Sequence, residues 1–123
     1  MARIFLVLGA LSGFSSVAAG AFGTHALRQR LDEKLLAVFE TGARYQMFHD
    51  LALLVIGALA ARGESRALAV AGWAMVAGTV LFSGSLYALA LSGVRGLGAI
   101  TPLGGVAFLV GWLALAWAVW TRA

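Results

Sequence analysis

The chain has 123 residues, of which 62% are hydrophobic and only 11% are charged, whereas a soluble globular domain averages about 45–50% apolar and about 25% charged residues. This composition excludes the soluble globular classes and predicts a single integral membrane domain, 1–123. The chain has no Cys, which excludes disulfides and thiolate metal sites. Its net charge of +4 is attributed to cationic residues that flank membrane spans, so no nucleic-acid partner is expected.

The first span is predicted at residues 4–23. Residues 4–24 carry no formal charge, and about 20 apolar residues cross the hydrocarbon layer as a helix. A cleavable signal peptide is the alternative, because Arg3 precedes the apolar stretch and residues 18–20 resemble a cleavage site. The stretch is longer than the roughly 7–15 apolar residues of a signal peptide, which favours a retained span.

An amphipathic helix is predicted next, at residues 25–41. Apolar residues recur there at helical spacing, while charged residues occupy the other faces. The segment is short and mixed in charge, so it is expected to lie in the membrane interface. Gly42 is interpreted as its stop signal.

The second span is predicted at residues 45–61. A start at Tyr45 gives 17 residues before Arg62, which is about the lower limit for crossing. This placement forces His49 and Asp50 into the membrane, below the lipid headgroups.

The third span is predicted at residues 69–91, within an uncharged run of 28 residues, 67–94. A glycine-rich turn follows. Thr101 is interpreted as a helix N-cap with Pro102 in the first helical position, and the fourth span is predicted at residues 103–121.

Four spans with short turns predict an all-α, up-down-up-down bundle with both termini on one side. We call the terminal side, with its four basic side chains, side A: Arg3, Arg62, Arg66 and Arg122. Side B is the opposite end of the bundle. It has five basic side chains: Arg28, Arg30, Lys34, Arg44 and Arg95. Because the numbers of basic residues on the two sides are nearly equal, the positive-inside rule alone does not assign the cytoplasmic side. Because the α-amino group adds to side A, that side is predicted to be cytoplasmic in a multi-pass protein of the inner membrane.

Small residues that let helices approach closely recur in the first and fourth spans. The predicted packing residues are Gly9, Gly13, Ser16, Gly20, Gly104, Ala107 and Gly111. A glycine-lined permeation path is the functional alternative. Such a seam also suits a second copy of the chain, and homo-oligomerisation stays open.

A polar cluster is predicted near the side B ends of the spans. Its candidate residues are His25, Arg44, Tyr45, Gln46, His49, Asp50, Ser83, Ser85, Tyr87, Arg95 and Thr101. Ionisable residues at membrane depth are costly and indicate function or a structural ion pair, and both interpretations are kept. The expected partner of Asp50 is Arg44, His49 or Arg95.

Metal or haem binding by His25 and His49 is disfavoured, and no cofactor is predicted, because the chain has neither Cys nor a close His pair on one helix. A site for an anion or a lipid headgroup is a further hypothesis. It places the positive end of the helix that starts at Thr101 and Pro102 beside Arg44, Arg95 and Tyr87.

Four motifs occur in order along the chain: GAFGTHAL at 20–27, TGARYQMFH at 41–49, LFSGSLY at 81–87, and ITPLGG at 100–105, which is followed by Gly111-Trp112. They resemble the YgdD-like family, small bacterial inner-membrane proteins of unknown function with eukaryotic relatives. The resemblance covers nearly the whole chain and implies four spans, but no mechanism. Thr24 and Asp50 depart from the family pattern, so His49 has the stronger claim to any shared chemistry.

The resulting functional hypothesis is a non-enzymatic membrane protein that binds lipid or an unidentified protein partner, or assists assembly. The alternative is a small oligomeric transporter or channel for a small solute or ion. An enzyme is least favoured, because no nucleophile with an attendant base is visible and Ser83-Gly84-Ser85 lacks the full GxSxG motif.

Overall fold

A computed structural model describes residues 1–122 as an all-helical protein, so the predicted domain 1–123 ends on a residue outside the described range. Four long helices are present: α1 (Ala2–Leu27), α2 (Glu33–Arg62), α3 (Arg66–Ser92) and α4 (Thr101–Trp120). A short 3₁₀ helix, Arg95–Ala99, precedes α4. No strand occurs among the described residues, which confirms the predicted all-α class.

The helix ends follow local capping chemistry. Asp32 Oδ1 accepts a hydrogen bond of 2.8 Å from the Leu35 amide at the start of α2, and Ser65 Oγ accepts one of 3.1 Å from the Leu68 amide at the start of α3. Gly93 ends α3 with φ +73°, a left-handed conformation that glycine adopts without a steric penalty.

The amphipathic segment and the second predicted span form one continuous helix, α2. The predicted break at Gly42 is therefore wrong, and the chain turns earlier, at residues 28–32. Gly42 has a packing role instead, because a Cβ atom there would lie 3.1 Å from the Tyr87 ring of α3. Glycine at this position lets α2 and α3 approach each other closely.

The start of α4 also differs in detail from the expectation. Ile100 occupies the N-cap position, and Thr101 is the first helical residue with Pro102 beside it in the first turn. The Thr101 hydroxyl therefore does not cap α4, and it bonds to α3 instead.

The bundle consists of two helix pairs joined through its middle. Helix α1 packs along α2, α4 packs along α3, and α2 contacts α3. The largest fully buried apolar side chains belong to three helices: Phe5 of α1, Ile56 of α2, and Leu68 and Met75 of α3.

Both ends of the described chain meet the α2–α3 loop. The α-amino group of Met1 lies 3.2 Å from Glu64 Oε1. Arg122 Nη2 donates hydrogen bonds of 2.8 Å to the carbonyl oxygens of Leu59 and Gly63. The side A residues are thus together at one end of the bundle.

Within residues 1–122, three helical segments are long and apolar enough to cross a membrane: Ala2–Leu27, Arg66–Ser92 and Arg95–Trp120. Helix α2 is not among them, although it has 30 residues, because its middle includes Gln46, His49 and Asp50. These three polar side chains are buried inside the bundle.

The predicted packing glycines take different positions. A Cβ atom at Gly104 would collide with the backbone of Phe82, and one at Gly9 would lie 3.0 Å from Leu54. Gly111 packs on Met75, and a Cβ atom at Gly20 would lie at an ordinary contact distance from Ala43.

The other predicted packing residues differ in how closely they pack. Open space surrounds the Cβ position of Gly13, so this residue does not pack on a neighbouring helix. Ala107 is partly buried on α4, and Ser16 is buried on α1.

Candidate functional site within the helix bundle

Gln46 is the centre of a hydrogen-bond network that joins three helices. Its Nε2 atom lies 3.0 Å from the Ser12 carbonyl oxygen, 2.9 Å from Ser12 Oγ and 2.8 Å from Ser15 Oγ, all on α1. Its Oε1 atom accepts a bond of 2.6 Å from the Tyr87 hydroxyl of α3. The buried amide therefore uses both its donor and its acceptor side to hold α1 and α3 against α2.

Other hydroxyl groups connect neighbouring helices in the same way. The bonds run from Ser16 Oγ to the Ala43 carbonyl at 2.8 Å, from Ser83 Oγ to the Gly42 carbonyl at 2.7 Å, and between Ser85 Oγ and Thr101 Oγ1 at 2.6 Å. Each buried hydroxyl has a partner, as polar groups away from water require. This part of the predicted cluster is suited to holding helices together.

Both ring nitrogens of His49 are engaged. Nδ1 lies 2.6 Å from the Tyr45 carbonyl oxygen, and Nε2 lies 3.1 Å from the indole Nε1–H of Trp112. A carbonyl only accepts and an indole N–H only donates, so the proton is assigned to Nδ1 and the lone pair to Nε2. The ring also stacks on Phe108 with centroids 3.4 Å apart. His49 is thus enclosed, with neither nitrogen free for a ligand.

Asp50 differs from the rest of the cluster. The residue is 2% exposed, and its Oδ2 atom is buried with no hydrogen-bond partner among the described residues. The side chain lines a cavity of about 170 Å³ between α1, α2 and α3. The complete lining is Leu8, Ser12, Asp50, Leu53, Val76, Thr79 and Val80.

None of the three expected partners pairs with Asp50. The one ion pair among residues 1–122 joins Met1 to Glu64. Arg44 and Arg95 are exposed, and the His49 nitrogens are bonded elsewhere. The Asp50 carboxylate thus has no cationic partner among residues 1–122.

Three other candidates lie outside the buried network. His25 and Arg44 are exposed, on α1 and α2 respectively, and Tyr45 is 39% exposed while it packs against Phe82 with ring centroids 4.8 Å apart. The anion site predicted from Arg44, Tyr87, Arg95 and Thr101 is not assembled, because the Tyr87 hydroxyl binds Gln46 and the Thr101 hydroxyl binds Ser85.

Arg95 belongs instead to a polar groove at side B, between the start of α2 and the end of α3. The groove has a volume of about 420 Å³ and is lined by Asp32, Lys34, Leu35, Val38, Leu89, Gly93 and Arg95. Within the described part of the chain, neither Lys34 nor Arg95 forms an ion pair. Asp32 already accepts the amide bond that caps α2.

Several participants were not among the predicted site residues: Ser12, Ser15, Thr79 and Trp112. Ser12 lies one helical turn before Ser16, and the sequence pattern indicates only that it belongs to a row of small residues on one helix face. For Trp112 the sequence shows only that it belongs to a motif. Their roles depend on which helices are neighbours, which local spacing does not show. No group of three or more His, Cys, Asp or Glu residues suited to a metal ion occurs in residues 1–122.

Comparison with known proteins identifies similar chains. Residues 19–105 match a family described as "Protein of unknown function (DUF423)". A UPF0382 membrane protein of Staphylococcus epidermidis is 50% identical over 113 residues, which cover 92% of each chain. The UPF0382 membrane protein YwdK of Bacillus subtilis is 46% identical over 112 residues, covering 90% of this chain and 91% of its own. No solved structure matches the chain.

Proposed function

We propose that this chain, which belongs to the DUF423 family of unknown function, is a four-span, non-enzymatic membrane protein that binds anionic phospholipid at the side B groove. Membrane association agrees with its relatives, which are named membrane proteins, and with three helices apolar enough to span. The YgdD-like identity and the eukaryotic relatives stay predictions.

A fourth span through α2 is supported by the spacing of its charges. Between Arg44 and Arg62 the helix rises about 27 Å, close to the roughly 30 Å of a hydrocarbon layer. Its internal polar residues, Gln46, His49 and Asp50, are buried by neighbouring helices, so they do not contact lipid. The residues before Arg44 then extend α2 into the side B interface, in place of a separate interfacial helix.

Location in the inner membrane with side A in the cytoplasm also belongs to this proposal. Met1 and Arg122 both contact the α2–α3 loop, which favours a common side for the two termini. Homo-oligomerisation and an unidentified protein partner stay predictions.

A non-enzymatic role is supported by the saturation of the polar cluster. Hydrogen bonds within the bundle already engage the polar side chains of Gln46, His49, Tyr87 and the buried serines. A general base needs access to the proton that it removes, and the enclosed His49 ring lacks this access.

The groove at Lys34 and Arg95 carries the lipid-binding proposal. Two cations without ion-pair partners in the described residues line this groove together with the apolar side chains of Leu35, Val38 and Leu89. A phospholipid offers the complementary groups, an anionic phosphate and an acyl chain. Basic pockets between spans at a membrane surface recognise lipid headgroups in this way.

The test measures retained lipid by native mass spectrometry after purification from membranes that contain phosphatidylglycerol. The double variant Lys34→Gln/Arg95→Gln should lose most of the retained phosphatidylglycerol. The matched control Arg62→Gln/Arg66→Gln removes the same charge from side A and should retain it. Equal retention by the two variants contradicts the proposal, as does full displacement of the lipid by inorganic phosphate.

Transport of a small solute or ion is the second candidate, and one observation favours it. Asp50 has no ion-pair partner in residues 1–122 and an unpartnered Oδ2 atom, and it lines a cavity within the predicted hydrocarbon layer. Such residues often mark substrate or ion pathways. Flux into liposomes that Asp50→Asn abolishes would favour this candidate over a lipid-binding role alone.

A further inference from the structure

The cavity at Asp50 combines one unpaired acid with a largely hydrocarbon wall. Leu8 and Leu53 contribute apolar surface from α1 and α2, and Val76 and Val80 contribute it from α3. Val80 is 65% exposed, so the cavity reaches the outside of the bundle between α1 and α3. A ligand therefore needs no path through the packed centre.

The depth of Asp50 makes a counter-charge necessary when the group is ionised. The residue lies about 9 Å along the α2 axis from Arg44 and about 18 Å from Arg62, at 1.5 Å per residue. An ionised carboxylate in such a medium needs a paired charge or a metal. The described residues supply neither, so the ionised form of Asp50 needs a cation that a ligand brings.

The lining also selects the kind of cation. A bare metal ion needs a shell of oxygen ligands, about six to eight for calcium, and only Ser12, Asp50 and Thr79 among the lining residues carry side-chain oxygens. A divalent ion would leave one charge uncompensated. A primary ammonium group has three N–H donors. Asp50, Thr79 and the second lone pair of Ser12 Oγ, whose other contact is Gln46 Nε2, can accept them, and the alkyl group suits the apolar wall.

The backbone of α3 places Thr79 at this wall. Thr79 begins a π-helical turn, Thr79–Ser83, within an otherwise α-helical segment. Such wide turns are rare and frequently occur at functional sites, because they change the direction of side chains. In this turn Thr79 lines the cavity, while Ser83 bonds to the Gly42 carbonyl of α2.

We propose that the Asp50 cavity binds a small primary alkylammonium ion, with the ammonium group on Asp50, Ser12 and Thr79 and the alkyl group against the leucine and valine side chains. The volume of about 170 Å³ is room for about five water-sized groups, at roughly 30 Å³ each, which suits a short chain such as butylammonium. Lys34 lies 16 residues before Asp50, about 24 Å along α2, so this site is independent of the lipid groove.

The experiment measures the thermal unfolding of the purified full-length protein in lipid nanodiscs at increasing butylammonium concentration. The wild type should gain a saturable rise in melting temperature. Three ligand controls separate the chemistry: butanol keeps the alkyl chain without charge, tetramethylammonium keeps the charge without N–H donors, and sodium is a bare cation. We expect each to give a clearly smaller rise than butylammonium.

The protein variants test the location of the site. Asp50→Asn keeps the side-chain size, removes the charge and should abolish the butylammonium effect, while Glu33→Gln, an exposed acid on the same helix, should keep it. Thr79→Val removes one acceptor and should weaken binding about tenfold. If Asp50→Asn does not fold, Thr79→Val supplies the same test, because Thr79 takes no part in the Gln46 network.

Four results would overturn the proposal. An equal response to butanol identifies a merely apolar cavity, and an equal response to sodium identifies a metal site. A full response in Asp50→Asn and Thr79→Val places the ligand elsewhere. No response to butylammonium, together with a pH dependence that Asp50→Asn removes, shows that Asp50 is neutralised by a proton alone.

Discussion

A single amide side chain connects three helices in this bundle. Gln46 occupies the middle of α2 and bonds to two serines of α1 and to Tyr87 of α3. Between helices surrounded by lipid there is little hydrophobic driving force, so packing and hydrogen bonds hold them together. One such bond is worth only about 0.6 kcal/mol on average, but loss of Gln46 removes the hydrogen-bond partner of three hydroxyl groups at once.

Replacement of Gln46 by an apolar residue should destabilise the bundle. We expect Gln46→Leu, which has similar volume but no polar atoms, to lower the free energy of unfolding by about 2 kcal/mol, because the Tyr87 hydroxyl and the hydroxyls of Ser12 and Ser15 lose a partner. Unfolding in mixed micelles with increasing SDS measures this change. Gln29→Leu, at an exposed position in the α1–α2 turn, is the control. Equal stability of the two variants would show that the network does not hold the helices together.

The polar residues show what the sequence can and cannot predict at this scale. His49 and Asp50 are adjacent, and span length alone predicts that both lie below the headgroups. The structure buries both inside the bundle. Their different environments come from other helices. Trp112 and Phe108 of α4 enclose His49, whereas Asp50 faces a gap between α1 and α3. Helical spacing puts neighbouring residues on different faces but does not show which helix meets each face.

At the scale of whole helices, glycines determine how closely the two pairs pack. Gly104 of α4 meets the backbone of Phe82, so the axes of α3 and α4 can approach only where a side chain is absent. Gly72 and Gly78 of α3 likewise leave room for the rings of Phe5 and Phe108. The sequence predicted glycine seams on the first and fourth spans, but the glycines of α3, which accept these rings, were not predicted.

A methyl group at Gly104 should separate α3 from α4. We expect Gly104→Ala to lower the free energy of unfolding by about 2 kcal/mol, because overpacking of a dense interface forces the backbone to shift. Gly13→Ala, predicted from sequence to lie on an equivalent seam but surrounded by open space, should leave stability unchanged or raise it, since alanine favours helix more than glycine does. SDS unfolding compares the two, and the reverse order of stabilities would contradict this assignment of the seams.

The boundary of α2 shows why local signals did not resolve the middle of the chain. Asp32 and Gly42 are both residues that commonly mark helix ends. The structure uses Asp32 as an N-cap and places Gly42 inside α2, against Tyr87. A glycine that permits a tertiary contact looks the same in sequence as a glycine that stops a helix. The long apolar runs of α1, α3 and α4 presented no such conflict: α1 and α3 include residues 4–23 and 69–91, and α4 ends at Trp120, one residue before the end predicted for the fourth span.

The whole molecule is arranged so that its charges lie at the two ends and its buried polar residues lie between the helices. Met1 and Arg122 hold the α2–α3 loop at side A, while the groove with Lys34 and Arg95 is at side B. In the four-span topology that we propose, α2 crosses the bilayer together with the other three helices. An experiment that shows on which side of the membrane each loop lies therefore decides whether α2 crosses it.

The absence of Cys from the chain allows that test with single cysteines. Glu64→Cys and Thr121→Cys at side A should react with a membrane-impermeant maleimide from one face of sealed vesicles. Gln29→Cys and Gly96→Cys at side B should react only from the opposite face; all four positions are exposed in the bundle. Labelling of positions 29 and 64 from the same face would show that α2 does not cross the membrane. The same vesicles, made inside-out or right-side-out, also test whether side A faces the cytoplasm, as the α-amino group and the basic residues at the span ends predict.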